Sequence, residues 1–148
     1  MKAVLQRVDY AKVRVKGRQI AGIGKGLLVF LGVARGDTKA DAGSLLDKII
    51  HLRIFEDEAG KMNLSLSDTG GQLLIVSQFT LLADCRKGRR PSFTEAERPD
   101  AAREMVRYFV KTAEERYGRV ASGEFQAMME IEMLNNGPVT ILLESGGC

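Results

Sequence analysis

The chain has one histidine, two cysteines and no long apolar run, and each shortage closes off a class of chemistry. His51 alone cannot build a His-rich zinc centre, and Cys85 and Cys148 form no C-x-x-C pair that would complete a tetrahedral site. A Ser-His-Asp relay would have to run through that same histidine. A lone histidine on a helical stretch reads as a surface or half-buried residue rather than a catalyst. Cys148 is the last residue, which argues against a structural disulfide, and two free thiols suit a reducing compartment. No segment reaches the roughly eighteen apolar residues of a membrane-spanning helix. Met1-Lys2-Ala3-Val4-Leu5 opens on a strand-like pattern without the apolar centre of a secretory leader. These features predict a cytoplasmic protein with no membrane partner, no metal and no cofactor. Internal repeats and low-complexity linkers are missing too, so residues 1–148 read as one domain.

What is present is a globular composition, 45% hydrophobic and 28% charged, in a chain long enough for a real core. The net charge is only +3, so clustering matters more than the total. Arg86, Lys87, Arg89 and Arg90 fall within five residues in a glycine-containing loop. Such a run is ordinarily a solvated loop. Here it follows a polar strand end, and that adjacency favours phosphate contacts, which position a nucleic acid without reading its sequence.

The periodicity outlines the elements. Residues 2–33 read as three strands, with a turn at Lys16-Gly17 and a doubly buried strand over Leu27 to Val33. The glycines of Gly22 to Gly26 lead into a strand and lack a following Gly-Lys-Ser/Thr, so they are turn glycines and not a phosphate loop. A first helix opens at Thr38 and Asp41 in capping-box spacing and buries Leu45, Leu46, Ile49 and Ile50. Ile54 to Leu66 reads as short strands, and Asp68 to Gly71 as a turn into a strand ending at Ser77. A second helix spans Pro99 to Tyr117 with Gly118 as its stop. Val120 to Leu143 reads as strands with a hairpin-like reversal at Asn135 to Pro138, and Met128, Met129 and Met133 as adaptable core. Gly146-Gly147-Cys148 reads as a frayed tail. This order lacks regular βα alternation, so it predicts an α+β fold with a mostly antiparallel or mixed sheet.

Two segments stand out. Ser77-Gln78-Phe79-Thr80-Leu81 places hydroxyls and an amide at the end of the apolar run Leu73 to Val76, a common way to deliver a site. Asn136-Gly137-Pro138-Val139-Thr140 contains a dipeptide able to take unusual backbone shapes. Together with Leu5-Gln6-Arg7-Val8 and Lys87-Gly88-Arg89-Arg90-Pro91-Ser92-Phe93, they resemble the D-aminoacyl-tRNA deacylases, the D-tyrosyl-tRNA deacylase family, from Met1 to about Glu144. The resemblance implies a curved, barrel-like sheet with two packed helices. It implies a homodimer in which the Gly137-Pro138 bond is cis and enters the partner's active site, supported by Arg7 and Asn136. It also implies hydrolysis of D-aminoacyl-tRNA, and of glycyl-tRNA mischarged on the alanine tRNA, with L-aminoacyl-tRNA spared. Family members often carry Phe-Gly-Ala where this chain has Phe125-Gln126-Ala127, so the local backbone there is open.

The residues narrow the chemistry of such a site. With one histidine, and with 19 acidic residues of which none is marked by context, hydrolysis must rest on positioning more than on a strong base. That suits an activated ester with a neighbouring hydroxyl. Backbone N–H groups near Phe79 and Thr80 are expected to hold the oxyanion, with Ser77, Gln78 and Thr80 organising the adenosine end and the water. An unassisted Thr80 hydroxyl is a poor nucleophile, which favours an RNA-assisted route. The rival reading is a nucleic-acid-binding module without catalysis, built on Arg86 to Arg90 and binding tRNA or DNA; the deacylase reading expects tRNA and no DNA.

Overall fold

The computed structural model describes residues 1–146; the last two residues of the expected frayed tail, Cys148 among them, lie outside. A 14-residue strand, β1 (Lys2–Val15), is its axis because both of its edges are paired. On one edge the second half of β1 runs antiparallel to β2 (Arg18–Ile23) and the first half to β3 (Gly26–Gly32). The chain then forms α1 (Lys39–His51), a small hairpin of β4 (Phe55–Glu56) and β5 (Met62–Leu64), and the single turn α2 (Leu66–Thr69). It continues through β6 (Gln72–Ser77), a 3-10 turn at Phe79–Leu82, α3 (Pro99–Arg116), β7 (Val120–Ser122) and β8 (Met129–Glu144). β6 pairs parallel to β3 and β7 parallel to β6, while β8 covers the other edge of β1 antiparallel. The sheet is mixed and curls until β2 approaches β6 and β7, joining the α+β class expected from the element order to the barrel-like curvature implied by the resemblance. The two long helices are those expected.

Alternation along the central strands makes two cores. Leu27, Val29 and Leu31 of β3 and Leu73 and Ile75 of β6 face the helices, against Leu45, Leu46 and Ile49 of α1 and Phe109 and Ala113 of α3. Leu28, Leu74 and Val76 point the other way, into the curl of the sheet with Val8, Ala11 and Val13. Successive strand residues face opposite sides, so strands covered on both must be apolar throughout. In β1 the buried set changes phase, from Ala3 and Leu5 on the helix side to Ala11 and Val13 inside the curl. The register shift after Val8, where β1 advances two residues to Tyr10 and β8 one to Leu134, accomplishes that change.

The helix ends follow from local chemistry. Thr38 and Asp41 form a complete capping box, each side chain accepting the other's backbone N–H. Pro99 opens α3, and the backbone turns at Gly118 with φ +91°. Of the apolar stripe expected for α3, Ala102, Phe109 and Ala113 are buried and Met105, Val106, Val110 and Tyr117 half-buried. Thr112 is buried as well, its hydroxyl donating to the Tyr108 carbonyl at 2.8 Å.

Three expectations are corrected. Asn135 to Pro138 is no reversal: β8 runs straight through it. Between the pairs Gln6–Thr140 and Val8–Asn135, β1 advances two residues and β8 five, so three extra residues leave the ladder as a bulge. Asp68 and Thr69 are helical instead of turn, because Ser65 and Asp68 make a second capping box. Met128 is 92% exposed, whereas Met129 and Met133 pack as expected.

Candidate active site

Ser77 ends β6, and the chain then folds down into the 3-10 turn against β3. A side chain on Gly32 would meet Leu82 Cδ2 at 2.5 Å and the Gln78 carbonyl at 3.1 Å, so glycine there lets the turn sit on the strand. The Gln78 N–H donates to the Leu31 carbonyl at 2.8 Å, and the first bond of the turn runs from Leu81 N–H to the Gln78 carbonyl. The N–H groups of Phe79 and Thr80 precede that bond, where a helical turn leaves donors for other partners. The Gln78 side-chain amide donates to Thr80 Oγ1. Phe79 is 59% exposed and meets Phe93 edge to face, with ring centroids 5.0 Å apart. Such a pair contributes about 0.5–1.5 kcal/mol beyond its burial.

Ser77, Gln78 and Phe79 border a cavity of about 770 Å³. Its walls are mainly apolar, with Val76, Phe93, Val106, Phe125 and Met129 among them, and Arg35 and Arg98 at the polar part of the lining. That size and character suit a nucleoside carrying a small acyl group. Glu97 is the one carboxylate in the lining among the described residues, and it accepts the Arg98 backbone N–H at 2.7 Å. His51 lies elsewhere, on the exposed face of α1, bonded to the Asp47 carbonyl. Among the described residues no three His, Cys, Asp or Glu side chains converge as metal ligands. Thr80 is exposed beside the cavity and does not line it.

The second segment is built with equal care. The Gly137–Pro138 bond is cis, and Gly137 sits at φ +136°, where a Cβ would press on Val139 and Arg7. Arg7 is only 8% exposed; its Nε donates to the Asn136 carbonyl at 3.0 Å and its Nη1 to the Ile54 carbonyl at 2.8 Å. The Asn136 side chain donates to Asp9 at 2.8 Å. Asn135 was not singled out from the sequence, yet it closes the bulge: its Oδ1 accepts Val139 N–H at 2.9 Å and its amide donates to Gln6. Its place in an Asn-Asn-Gly-Pro run is the signal that marks it.

The two segments do not meet within one chain. Asn136 and Arg7 border a separate hollow of about 280 Å³, and no residue from 136 to 138 lines the larger cavity. Asn136, Gly137 and Pro138 are all exposed.

The basic loop has internal order. Asp84 and Ser92 exchange backbone hydrogen bonds at 2.7 and 2.9 Å. The Arg86 guanidinium forks onto both Asp84 oxygens at 2.9 and 2.7 Å, and Asp84 Oδ1 also accepts the Arg86 N–H. The guanidinium bonds first, then the backbone donor, hold the Asp84 carboxyl down at about 2. Arg86 thus pairs with the loop's own carboxylate, and at 87% exposure its guanidinium still faces solvent with Lys87, Arg89 and Arg90.

The Phe125-Gln126-Ala127 departure is resolved in the backbone. Gln126 itself adopts φ +62°, the conformation glycine would take most easily. Its Oε1 accepts from Arg103 Nη2 at 2.6 Å, while Arg103 lies over the Phe125 ring at 4.9 Å.

Fold and cavity define a curved-sheet α+β protein with a nucleoside-sized, cation-bordered pocket. The sequence pattern of the family described as D-Tyr-tRNA(Tyr) deacylase matches residues 4–144, and the chain belongs to that family. A D-aminoacyl-tRNA deacylase of Syntrophus aciditrophicus (strain SB) is 59% identical over 98% of this chain and 97% of its own. One from Clostridioides difficile (strain 630) is 55% identical over the same shares. Among solved structures, the c-Myc DNA Unwinding Element Binding Protein superposes with TM-score 0.93 at 41% identity, covering 98% of this chain and 99% of its own. A probable eukaryotic D-amino acid tRNA deacylase shares the fold, with TM-score 0.81 at 19% identity over 96% and 97% of the two chains.

Proposed function

We propose that this chain removes D-amino acids from tRNA by hydrolysing the ester to the terminal ribose, a proofreading reaction at the cavity beside Ser77, Gln78 and Phe79. The observation that carries the reading is that cavity, in a chain 59% identical over nearly its whole length to D-aminoacyl-tRNA deacylases. The enzyme is a carboxylic ester hydrolase, and tRNA is its substrate. It works in the cytoplasm, where charged tRNA is made and used.

The adenosine enters the apolar cavity, and its acylated ribose faces the strand end. The Phe79 and Thr80 N–H groups hold the developing oxyanion. Gln78 fixes the Thr80 hydroxyl through its amide, a neutral group that cannot take up a proton. A threonine without a base is a weak nucleophile, so the 2′-hydroxyl of the ribose or an aligned water attacks while the protein supplies geometry. Arg86, Lys87, Arg89 and Arg90 contact tRNA phosphates farther from the ester.

Chirality is checked by main chain. Gly137 and Pro138 are exposed on a bulge braced by Arg7 and the Asn136 side chain, and in their own chain they lie outside the cavity. In a homodimer each bulge enters the partner's site and its backbone closes one side of the substrate's α-carbon. Hydrogen fits there and a side chain does not. D-amino acids of many sizes are therefore substrates, L-amino acids are excluded, and achiral glycine passes. Exposed Leu134 and Leu142 on β8 supply apolar surface for such a pairing.

A second reading, nucleic-acid binding without catalysis, draws on the likeness to the c-Myc DNA Unwinding Element Binding Protein at 41% identity and on the basic loop. Hydrolysis assays on D-tyrosyl-, L-tyrosyl- and glycyl-tRNA at low enzyme concentration separate the two. Release from the D-tyrosyl and glycyl substrates alone supports the chirality-checking enzyme. Retained binding with no release from any substrate leaves the binding module.

A further inference from the structure

A second cleft of about 410 Å³ opens beside the main cavity, and the two share Ser77, Val106 and Phe125 in their linings. Their characters differ sharply. The larger is mainly aromatic and aliphatic, with Arg35, Glu97 and Arg98 at its polar part, whereas the smaller carries Arg103, Arg107 and Lys111 from α3, with Glu114 as its one acidic side chain. The three cations recur every four residues, so they fall along one side of α3 about 6 Å apart in rise. Helix and sheet together therefore make a groove that begins apolar at Phe79 and ends cationic at Lys111, with Ser77 at the junction.

The cations differ in availability. Arg103 is committed to the wall, bonded to Gln126 and lying over Phe125. Arg107 meets Glu104 at 3.1 Å and Lys111 meets Glu115 at 3.9 Å, but all four side chains are largely exposed, 70% and 73% for the two cations. Exposed pairs of this kind hold their partners weakly, so both cations can turn to a more highly charged ligand.

We propose that this cleft is a phosphate subsite, taking the phosphodiester on the 5′ side of the terminal adenosine while the adenosine occupies the apolar cavity. This rests on the aminoacyl-tRNA reading given above. An aminoacylated 3′ end consists of a base with apolar faces and an ester on the ribose, and the first backbone charge sits on the 5′ oxygen of that same ribose. The junction at Ser77 divides the groove in the same order. Arg107 and Lys111 bind that charge, and Arg103 braces the Phe125 wall between the two compartments. The contact is independent of base sequence, as befits a 3′ end common to all tRNAs.

The test uses three D-tyrosyl esters on the terminal ribose: the full tRNA, the dinucleotide CpA, and adenosine, which lacks the phosphate. In the Arg107→Gln/Lys111→Gln enzyme, KM rises about tenfold for tRNA and CpA with kcat retained, and KM for the adenosine ester stays at the wild-type value. The salt dependence of tRNA affinity, plotted logarithmically, flattens by about 1.4 for the two lost contacts. Arg107→Lys/Lys111→Arg keeps the charge and keeps the wild-type KM on CpA. A CpA ester unaffected by the neutral pair overturns the subsite, and so does an adenosine ester weakened as much as CpA. Wild-type enzyme inert on all three esters removes the deacylase reading, and the subsite with it.

Discussion

Gln126 concentrates the residue-scale physics of this protein. A non-glycine residue at φ +62° carries a steric penalty of about 1–2 kcal/mol, and here the surroundings hold it there. The bond to Arg103 and the stacking of Arg103 on Phe125 are exposed contacts, together of similar size to that penalty. Comparing Gln126→Gly with Gln126→Ala isolates the backbone contribution, since both lose the bond and only alanine keeps the strain. The glycine variant should be the more stable by about 1 kcal/mol, or about 2–4 °C in Tm. Equal denaturant midpoints would mean that the residue is not left-handed in solution. The sequence marks this position as unusual without revealing how the chain copes, because φ follows from the loop's attachment to α3. Ser77 and Gln78 draw notice in the sequence because polar groups at an apolar strand's end demand a use, whereas Arg7 and the cis Gly137–Pro138 bond are expected only from the family resemblance. Asn135 was overshadowed by its neighbour, and only the bulge makes its role visible.

At the scale of elements, local signals were read correctly where they suffice. The capping box at Thr38 and the proline and glycine bounding α3 act within a turn of the helix they define. The bulge in β8 is different: Asn-Gly-Pro reads as a reversal until β1 is seen to pair on both sides of it, sixteen residues of β8 against one long strand. Register is a property of two strands and cannot be read from one. The basic loop shows the same limit, since Arg86 looks equivalent to its neighbours and yet closes onto Asp84. That pairing has a pH signature. The Asp84 pKa is lowered to about 2, so its contribution to loop order is complete above the ordinary carboxylate value and is lost only as pH falls through about 2. Hydrogen-exchange protection of the Asp84 and Ser92 amides should persist from neutral pH to about pH 3. It should be lost in Asp84→Asn at every pH, with the Tm of the domain essentially unmoved. Loss of wild-type protection between about pH 5 and 4 would assign the loop's order to another group.

The whole molecule poses the question that one chain leaves open. Its pocket contains Ser77, Gln78 and Phe79, while its Gly137–Pro138 bulge stands exposed outside that pocket. The proposed two-fold pairing would bring each bulge to the partner's pocket, and it gives an arithmetic test. One variant, Ser77→Trp, fills the pocket from its lining and leaves the bulge intact. Another, lacking residues 137 and 138, spoils the bulge and leaves the pocket. Each alone should be inactive on D-tyrosyl-tRNA. After unfolding and refolding of an equal mixture, about half the dimers are mixed, and each mixed dimer has one of its two sites whole, so about a quarter of wild-type activity returns. Sedimentation of the mixture establishes that dimers have formed. If the bulge served its own chain's pocket, every site in the mixture would lack one half, and no activity would return however completely the chains paired.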